Sequence, residues 1–439
     1  MAAEMKTEDL EDMLERLRNI NQTLDTMTAI LVQTQDSMNS AVQCQDYLNK
    51  LTIMDFIDCL HLPSLYFAFT FLYMTTILHK LLKGGLKPES RCIWNLLLVV
   101  IGEIVCFFIL PGYVGLFLLC LVFLLSLAIL RKFEEFLPVN NKALLITGCD
   151  SGIGKALAKH FDKLGFTVFA GVLNEKGPGP EDLRRSCSER LSLILLDVTD
   201  TTQIAQAYLQ VKACMADTVL WGVVNNAGVL EYITDAEVLP VTIYQKNMAV
   251  NFFGAVQVSK TFLPLLRHSK GRIINISSMA GVVPVPGFSS YGASKAALVC
   301  FTSVLRQELF KWGIKVINIQ PAAFKTNIFG TIEEWVYNRT QIFSSLSPEI
   351  KNDYGEEYFI ASDDKWKKMT LNSPDSLQPI LNDVYHALMA KFPEHLYRPG
   401  KGAWLIPFIH TYFPVHINDF LIDMLFETNK YYPGALKNK

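Results

Sequence analysis

From residue 140 onward the chain alternates short β-branched and aliphatic runs with amphipathic stretches, a pattern that leaves few folds open. The runs at 142–146, 166–171, 191–196, 220–224, 271–276 and 315–319 read as strands with helices between them. Strands apolar at nearly every position are buried on both faces, which βα repetition produces and exposed hairpins do not. The pattern predicts an α/β fold, a Rossmann-like doubly wound parallel sheet, in one domain over residues 138–439. That domain is expected to end in an irregular region and an apolar stretch at 403–426, rich enough in Phe, Trp, Tyr and Ile to close an apolar pocket near a membrane.

The segment before this domain has a different chemistry. Residues 1–61 are polar and mostly acidic, but Leu10, Leu17, Leu24 and Leu31 repeat at seven, with Met13, Ile20 and Met27 three places after the first three. Such a seam predicts a lone amphipathic helix or a contact in a homodimer or trimer. Three apolar stretches follow at 62–78, 93–110 and 113–130. Each is close to the roughly 17 to 25 residues that cross a bilayer, so residues 62–132 are expected to form a membrane anchor of three transmembrane helices. The 50% hydrophobic content and mean hydropathy of +0.24 agree with contact with lipid. Glu103 lies inside the second stretch, where an unpaired carboxylate costs about 3 kcal/mol, so either it faces a neighbouring helix or the second stretch spans imperfectly. Lys80, Lys83, Lys87 and Arg91 follow the first stretch, and Arg131 and Lys132 the third. The excess of basic residues predicts that both flanks, and the catalytic domain, are cytoplasmic.

A formal charge of −2 without long basic clusters argues against a nucleic-acid partner. Nine cysteines without C-x-x-C spacing argue against a zinc cluster or disulfide scaffold. No histidine cluster suggests a metal, and no G-x-S-x-G elbow suggests a hydrolase.

The run Thr147-Gly148-Cys149-Asp150-Ser151-Gly152-Ile153-Gly154 links the first strand to a helix. Glycines there permit a tight turn, and the amides at the helix start can cradle a pyrophosphate. Asp197 and Val198 close the third strand, and Asn225, Asn226, Ala227 and Gly228 the fourth, both suited to the adenosine half. Asn174 and Glu175 end the second strand and can bond a ribose 2′-hydroxyl. An arginine suited to a 2′-phosphate is absent between Thr167 and Gly179, which favours NAD over NADP.

Tyr291 and Lys295, four apart, share a face of a helix expected over 290–310. A nearby ammonium favours the phenolate, so Lys295 is expected to lower the Tyr291 pKa and to hold the nicotinamide ribose. Ser278 could hold a substrate oxygen against Tyr291, and Asn251 could anchor a proton-carrying water.

Together with Pro321 to Thr326, these motifs resemble the short-chain dehydrogenase/reductase family over residues 142–326. The resemblance implies Tyr291 as acid/base, Lys295 as its partner, Ser278 and Asn251 in the roles above, Thr326 at the nicotinamide carboxamide and Asp197 at adenine. Pro321-Ala322-Ala323 departs from the family's Pro-Gly, and an alanine fits only with ordinary backbone angles. Similarity to microsomal hydroxysteroid dehydrogenases of that family implies NAD-dependent oxidation of a 17β-hydroxysteroid such as estradiol or testosterone to the 17-ketone, in the endoplasmic reticulum membrane. Another steroid position, a retinoid or a lipid alcohol suits the same chemistry. An inactive membrane-bound NAD sensor or an assembly scaffold is the reading of another class, which the Ser278, Tyr291 and Lys295 set disfavours.

Overall fold

A computed structural model describes residues 22, 25–30, 32–40, 42, 67–76, 99–105, 113–129, 135–215, 217–427 and 431–436. The chain divides into two compact units, Met1–Lys132 and Phe133–Lys439.

In the first unit, helical segments occupy 67–76 and 99–105, and helix α1 spans Tyr113–Ile129. Tyr73, Val99, Leu119 and Phe123 form a small core, with the Tyr73 and Phe123 rings stacked at 4.3 Å. Glu103 accepts a hydrogen bond from Thr70 Oγ1 at 2.7 Å, and Tyr73 bonds Ser126. The expectation that Glu103 faces a neighbour is met by a hydroxyl rather than a cation. Of the three expected transmembrane stretches, residues 62–66, 77–78, 93–98, 106–110 and 130 lie outside the described residues. Among the described residues of this unit, no helix is both long and apolar enough to cross a membrane by itself; the helix that meets both measures, at Val241–Ser269, belongs to the second unit. Of the heptad positions only Met27 lies within the described residues, where it is exposed.

The second unit is built on seven parallel strands in the order β3-β2-β1-β4-β5-β6-β7. They are β1 Lys142–Ile146, β2 Thr167–Val172, β3 Leu191–Leu195, β4 Val219–Asn225, β5 Arg272–Ile276, β6 Lys315–Ile319 and β7 Leu396–Tyr397. Strand alternation sends Leu144 and Ile146 to one face and Ala143 and Leu145 to the other, and each pair enters a separate core. Helices α2 Gly152–Lys163, α3 Pro178–Ser186 and α4 Thr201–Cys214 follow the first three strands. After β4 come α5 Val241–Met248, a wide π-type turn at Ala249–Gly254 and α6 Ala255–Ser269. Helix α7, Ser289–Leu309, joins β5 to β6. The order reverses beside β1, where β2 and β4 flank it, and that switch point opens a crevice at the strands' carboxyl ends.

The expected irregular region is helical: α8 Ile332–Ser345, α9 Pro348–Tyr354, α10 Glu356–Leu371 and α11 Gln378–Met389. Local caps explain the first two, with a capping box between Thr331 and Glu334, then Ser347 capping with Pro348 at the first position. The two-residue β7 was also unexpected, since two residues carry no periodicity. The apolar stretch at 403–426 forms two helices, α12 Leu405–Tyr412 and α13 Val415–Phe426, interrupted at Pro414. Buried Arg272 donates to the Ala387 and Ala390 carbonyls at 2.5 and 2.6 Å, tying the end of α11 to the sheet.

Candidate active site

A cleft of about 720 Å³ lies at the switch point. One half is made from main chain. Gly148 and Gly152 take φ of +70° and +55°, which lets the chain double back from β1 into α2. A Cβ on Gly154 would lie 2.1 Å from the Gly148 carbonyl oxygen, so α2 starts closer to the turn than a side chain permits. Ser151 faces the cleft and its side chain makes no capping bond, leaving its hydroxyl and the first amides of α2 for an anion.

Thr147 and Gly154 do not line the cleft; they shape it from behind. The Thr147 hydroxyl accepts from the Asn226 and Ala227 amides at 3.0 and 2.9 Å. Asn226 Nδ2 returns bonds to the Thr147 and Gly148 carbonyls at 2.9 and 3.1 Å. Asn226 was thus overlooked as the clasp between the β1 and β4 turns. Asn225, assigned to the cofactor, points the other way: its Nδ2 donates to Ser259 and Asn275 inside the sheet. Strand alternation is the reason, since neighbouring residues face opposite sides.

Asp197, Val198, Ala227, Gly228 and Ile153 line the cleft as expected. Asp197 accepts from the Thr199 amide and hydroxyl at 2.8 and 2.7 Å. Asn174 and Glu175 do not line it. The Asn174 side chain accepts from the Lys176 amide, and Glu175 is 3.7 Å from Arg184. Asp150 lies there instead, accepting from the Leu173 amide at 3.0 and 3.1 Å. Reading along the chain missed this residue because it belongs to the first turn, and only strand pairing brings it to the end of β2.

At the middle of the cleft, α7 carries Tyr291 and Lys295, both buried. The Ser278 hydroxyl accepts from the Ala280 amide at 3.1 Å, and Ser278 acts on the Tyr291 phenol to lower its pKa. With one lone pair engaged, the Ser278 hydroxyl keeps its proton to donate and a second lone pair to accept. Lys295 Nζ donates to the Ile276 carbonyl at 3.0 Å and lies 5.7 Å from the Tyr291 ring centroid. Burial lowers Lys295 to about 8. Burial likewise pushes Tyr291 up to about 12, with Ser278 opposing. Burial is thus the larger influence on the Tyr291 phenol, against the lowering expected from a nearby ammonium.

Asn251 lies within the π-type turn and does not line the cleft. Its Oδ1 accepts from Val229 N at 2.8 Å, while Nδ2 donates to Val229 O and Ser294 Oγ at 2.8 and 2.9 Å. The side chain is therefore a clamp, leaving only the main chain of Asn251 for a water. Pro321 and Thr326 line the cleft, and Ala322 and Ala323 have no positive φ, so the alanines fit. The Thr326 Cβ would meet a Cβ on Gly152 at 3.4 Å, which brings the β6 loop against the first turn.

Beyond Tyr291 the lining turns apolar, with Leu230, Val285, Phe288, Phe329, Met369 and Phe426. None of these was anticipated individually. They come from five segments of chain, and nothing local distinguishes them from core residues.

The glycine turn, the free helix amides and the acceptor at the second strand fit a dinucleotide. The short chain dehydrogenase family profile matches residues 142–337. The chain is 47% identical over 352 residues to 17-beta-hydroxysteroid dehydrogenase type 2 of Homo sapiens, covering 80% of this chain and 91% of that one. It is 41% identical to 11-beta-hydroxysteroid dehydrogenase type 2 of Bos taurus, covering 69% and 74%. A crystal structure of a short-chain dehydrogenase from Streptomyces avermitilis superposes with a TM-score of 0.50 at 25% identity, covering 66% of this chain and 97% of that one.

Proposed function

Because this chain belongs to the short-chain dehydrogenase family, we propose that it oxidises the 17β-hydroxyl of a steroid such as estradiol or testosterone to the 17-ketone, with NAD as acceptor. The observation that carries this reading is the position of Tyr291 and Ser278 where a glycine-lined half of the cleft meets an apolar one. An alcohol on a rigid apolar skeleton fits that junction, with its oxygen between the two hydroxyls.

When bound, NAD supplies a hydride acceptor at the alcohol carbon. Ser278 donates to the substrate oxygen and holds it against Tyr291. Tyr291 takes the hydroxyl proton as the carbon–hydrogen bond breaks, and the ketone forms. A phenol buried to about 12 is a poor base near neutrality, so positive charge must bring it down. Lys295, charged below about pH 8, provides part of that charge and is placed to hold the nicotinamide ribose. The Asn251 side chain is engaged at both ends, so a proton-carrying water anchored at Asn251 would have to be held by its main chain.

The NAD preference rests on Asp150, not on Asn174 or Glu175. Its carboxylate, fixed on the Leu173 amide, can accept from a ribose 2′-hydroxyl and repels a 2′-phosphate. Three of the nearby cations are already engaged: Lys155 and Lys159 bind Asp182 at 3.1 and 2.8 Å, and Arg184 lies beside Glu175.

Residues 138–439 then form the catalytic domain. Residues 62–132 are proposed as an anchor in the endoplasmic reticulum membrane, supported by exposed apolar residues on α1 such as Val114, Phe117 and Leu124.

Purified full-length protein is assayed at 340 nm with NAD or NADP against estradiol, testosterone, an 11β-hydroxysteroid and retinol. The expected result is preferential oxidation of the 17β-alcohols with NAD. Preference for the 11β-alcohol or retinol overturns the position assigned, and equal kcat/KM with NADP overturns the cofactor.

A further inference from the structure

Asp363 on α10 is buried beside the far wall of the cleft and divides its oxygens between two segments. Oδ1 accepts from the Tyr232 hydroxyl at 2.6 Å and Oδ2 from Arg339 of α8 at 2.8 Å. Tyr232 is 1% exposed and packs at 5.5 Å against Trp335. We propose that Tyr232, Asp363 and Arg339 form a positioning latch that fixes the distance from the Tyr291 hydroxyl to the distal apolar wall, and so sets the length of alcohol accepted. This rests on the alcohol dehydrogenase reading above.

Each segment joined at Asp363 either carries part of the wall or holds a residue that does. Leu230 is two residues before Tyr232, and Met369 follows Asp363 on α10; both line the cleft. Phe329, also in the lining, accepts at its carbonyl from the Trp335 indole, one helical turn before Arg339. Trp366, three residues after Asp363, packs at 4.9 Å on Phe288, itself 6.1 Å from Tyr291.

The latch is also indexed to the reacting helix by bonds. Ser294 Oγ donates to the Tyr291 carbonyl at 2.7 Å and accepts from Asn251, which holds the amide and carbonyl of Val229 at 2.8 Å each. Between Val229 and Tyr232 the chain has little freedom. Glu231 is in the left-handed region at φ 59°, and its carboxylate meets Lys246 at 2.7 Å. A buried ion pair adds little stability over apolar packing but can specify one arrangement of the groups around it. That is the property a wall of fixed distance needs.

Tyr232→Phe removes one hydrogen bond and keeps the ring. Asp363→Asn retains an acceptor for Arg339, whereas alanine would strand its charge. Both full-length variants, checked by thermal melting, are assayed with saturating NAD on cyclohexanol, a decalinol and the steroid. Binding of alcohols that are not turned over is read from tryptophan fluorescence. The expected result is a steroid KM raised about tenfold, with kcat, the cyclohexanol KM and the NAD Kd within about twofold of the parent. A folded pair with an unchanged steroid-to-cyclohexanol ratio overturns the latch. A uniform loss across the series also overturns it, because that marks general destabilisation. If the parent rejects steroids, the substrate reading fails, and the latch is decided by whether the longest alcohol bound changes in the variants.

Discussion

The two halves of the cleft are built from different materials. The nucleotide half is main chain: glycines at φ +70° and +55°, free amides at the start of α2, and a threonine–asparagine clasp behind them. The substrate half is side chain, gathered from positions as far apart as Leu230 and Phe426. Main-chain surfaces tolerate almost no added atom at Gly148 and Gly154, because a Cβ there meets backbone that cannot move. Side-chain surfaces can repack, so the same change in volume there alters selectivity before it alters folding. The first half suits a ligand whose shape never varies, and the second suits one that differs between relatives.

That contrast predicts a graded series of effects. Gly154→Ala should be the most damaging, since its Cβ would sit 2.1 Å from the Gly148 oxygen and 2.5 Å from Asn226 Nδ2. Overpacking of this kind costs about 1–3 kcal/mol or more. NAD binding should be lost by calorimetry, and a variant that binds NAD like the parent would remove the basis of the comparison.

Tyr291→Phe stands at the border of the halves and should lower turnover by roughly 10² to 10⁴-fold while NAD affinity is kept. Single-turnover absorbance separates the two. Parent-like turnover in a folded variant would exclude Tyr291 as the base.

Asp150→Asn removes charge without volume. The preference for NAD over NADP, measured as a ratio of kcat/KM, should fall by about tenfold, equivalent to roughly 1.4 kcal/mol. An unchanged ratio would assign discrimination elsewhere, with Glu175 and Arg184 the next residues to vary.

Phe426→Ala should have the smallest effect. Losing one partly buried ring from the wall is expected to raise the steroid KM about three- to tenfold, with cyclohexanol and NAD unaffected. A loss of NAD binding equal to that of Gly154→Ala would show that the halves are not separable.

The parts legible in the sequence are those where backbone geometry forces residue type. Gly148, Gly152 and Gly154 were readable because other residues do not fit, and Tyr291 with Lys295 because helical spacing puts both on one face. Six of the strands were readable from burial on both faces. Asn225 was misassigned because its neighbour Asn226 has the same chemistry and the opposite direction. Asn174 and Glu175 were assigned by their distance along the chain, while the cleft position belongs to Asp150, brought there by the pairing of β1 with β2.

The sequence by itself thus determined the sheet, the glycine turn and the shared helix face of Tyr291 and Lys295, since each depends on periodicity or on steric limits within a few residues. The tertiary structure alone decided which way each side chain faces, that burial raises the Tyr291 pKa, and which distant apolar residues meet around the cleft. Local sterics are written in neighbouring residues. Desolvation and the convergence of α7, α10 and α13 depend on how far-apart segments pack, and no single stretch of sequence carries that information.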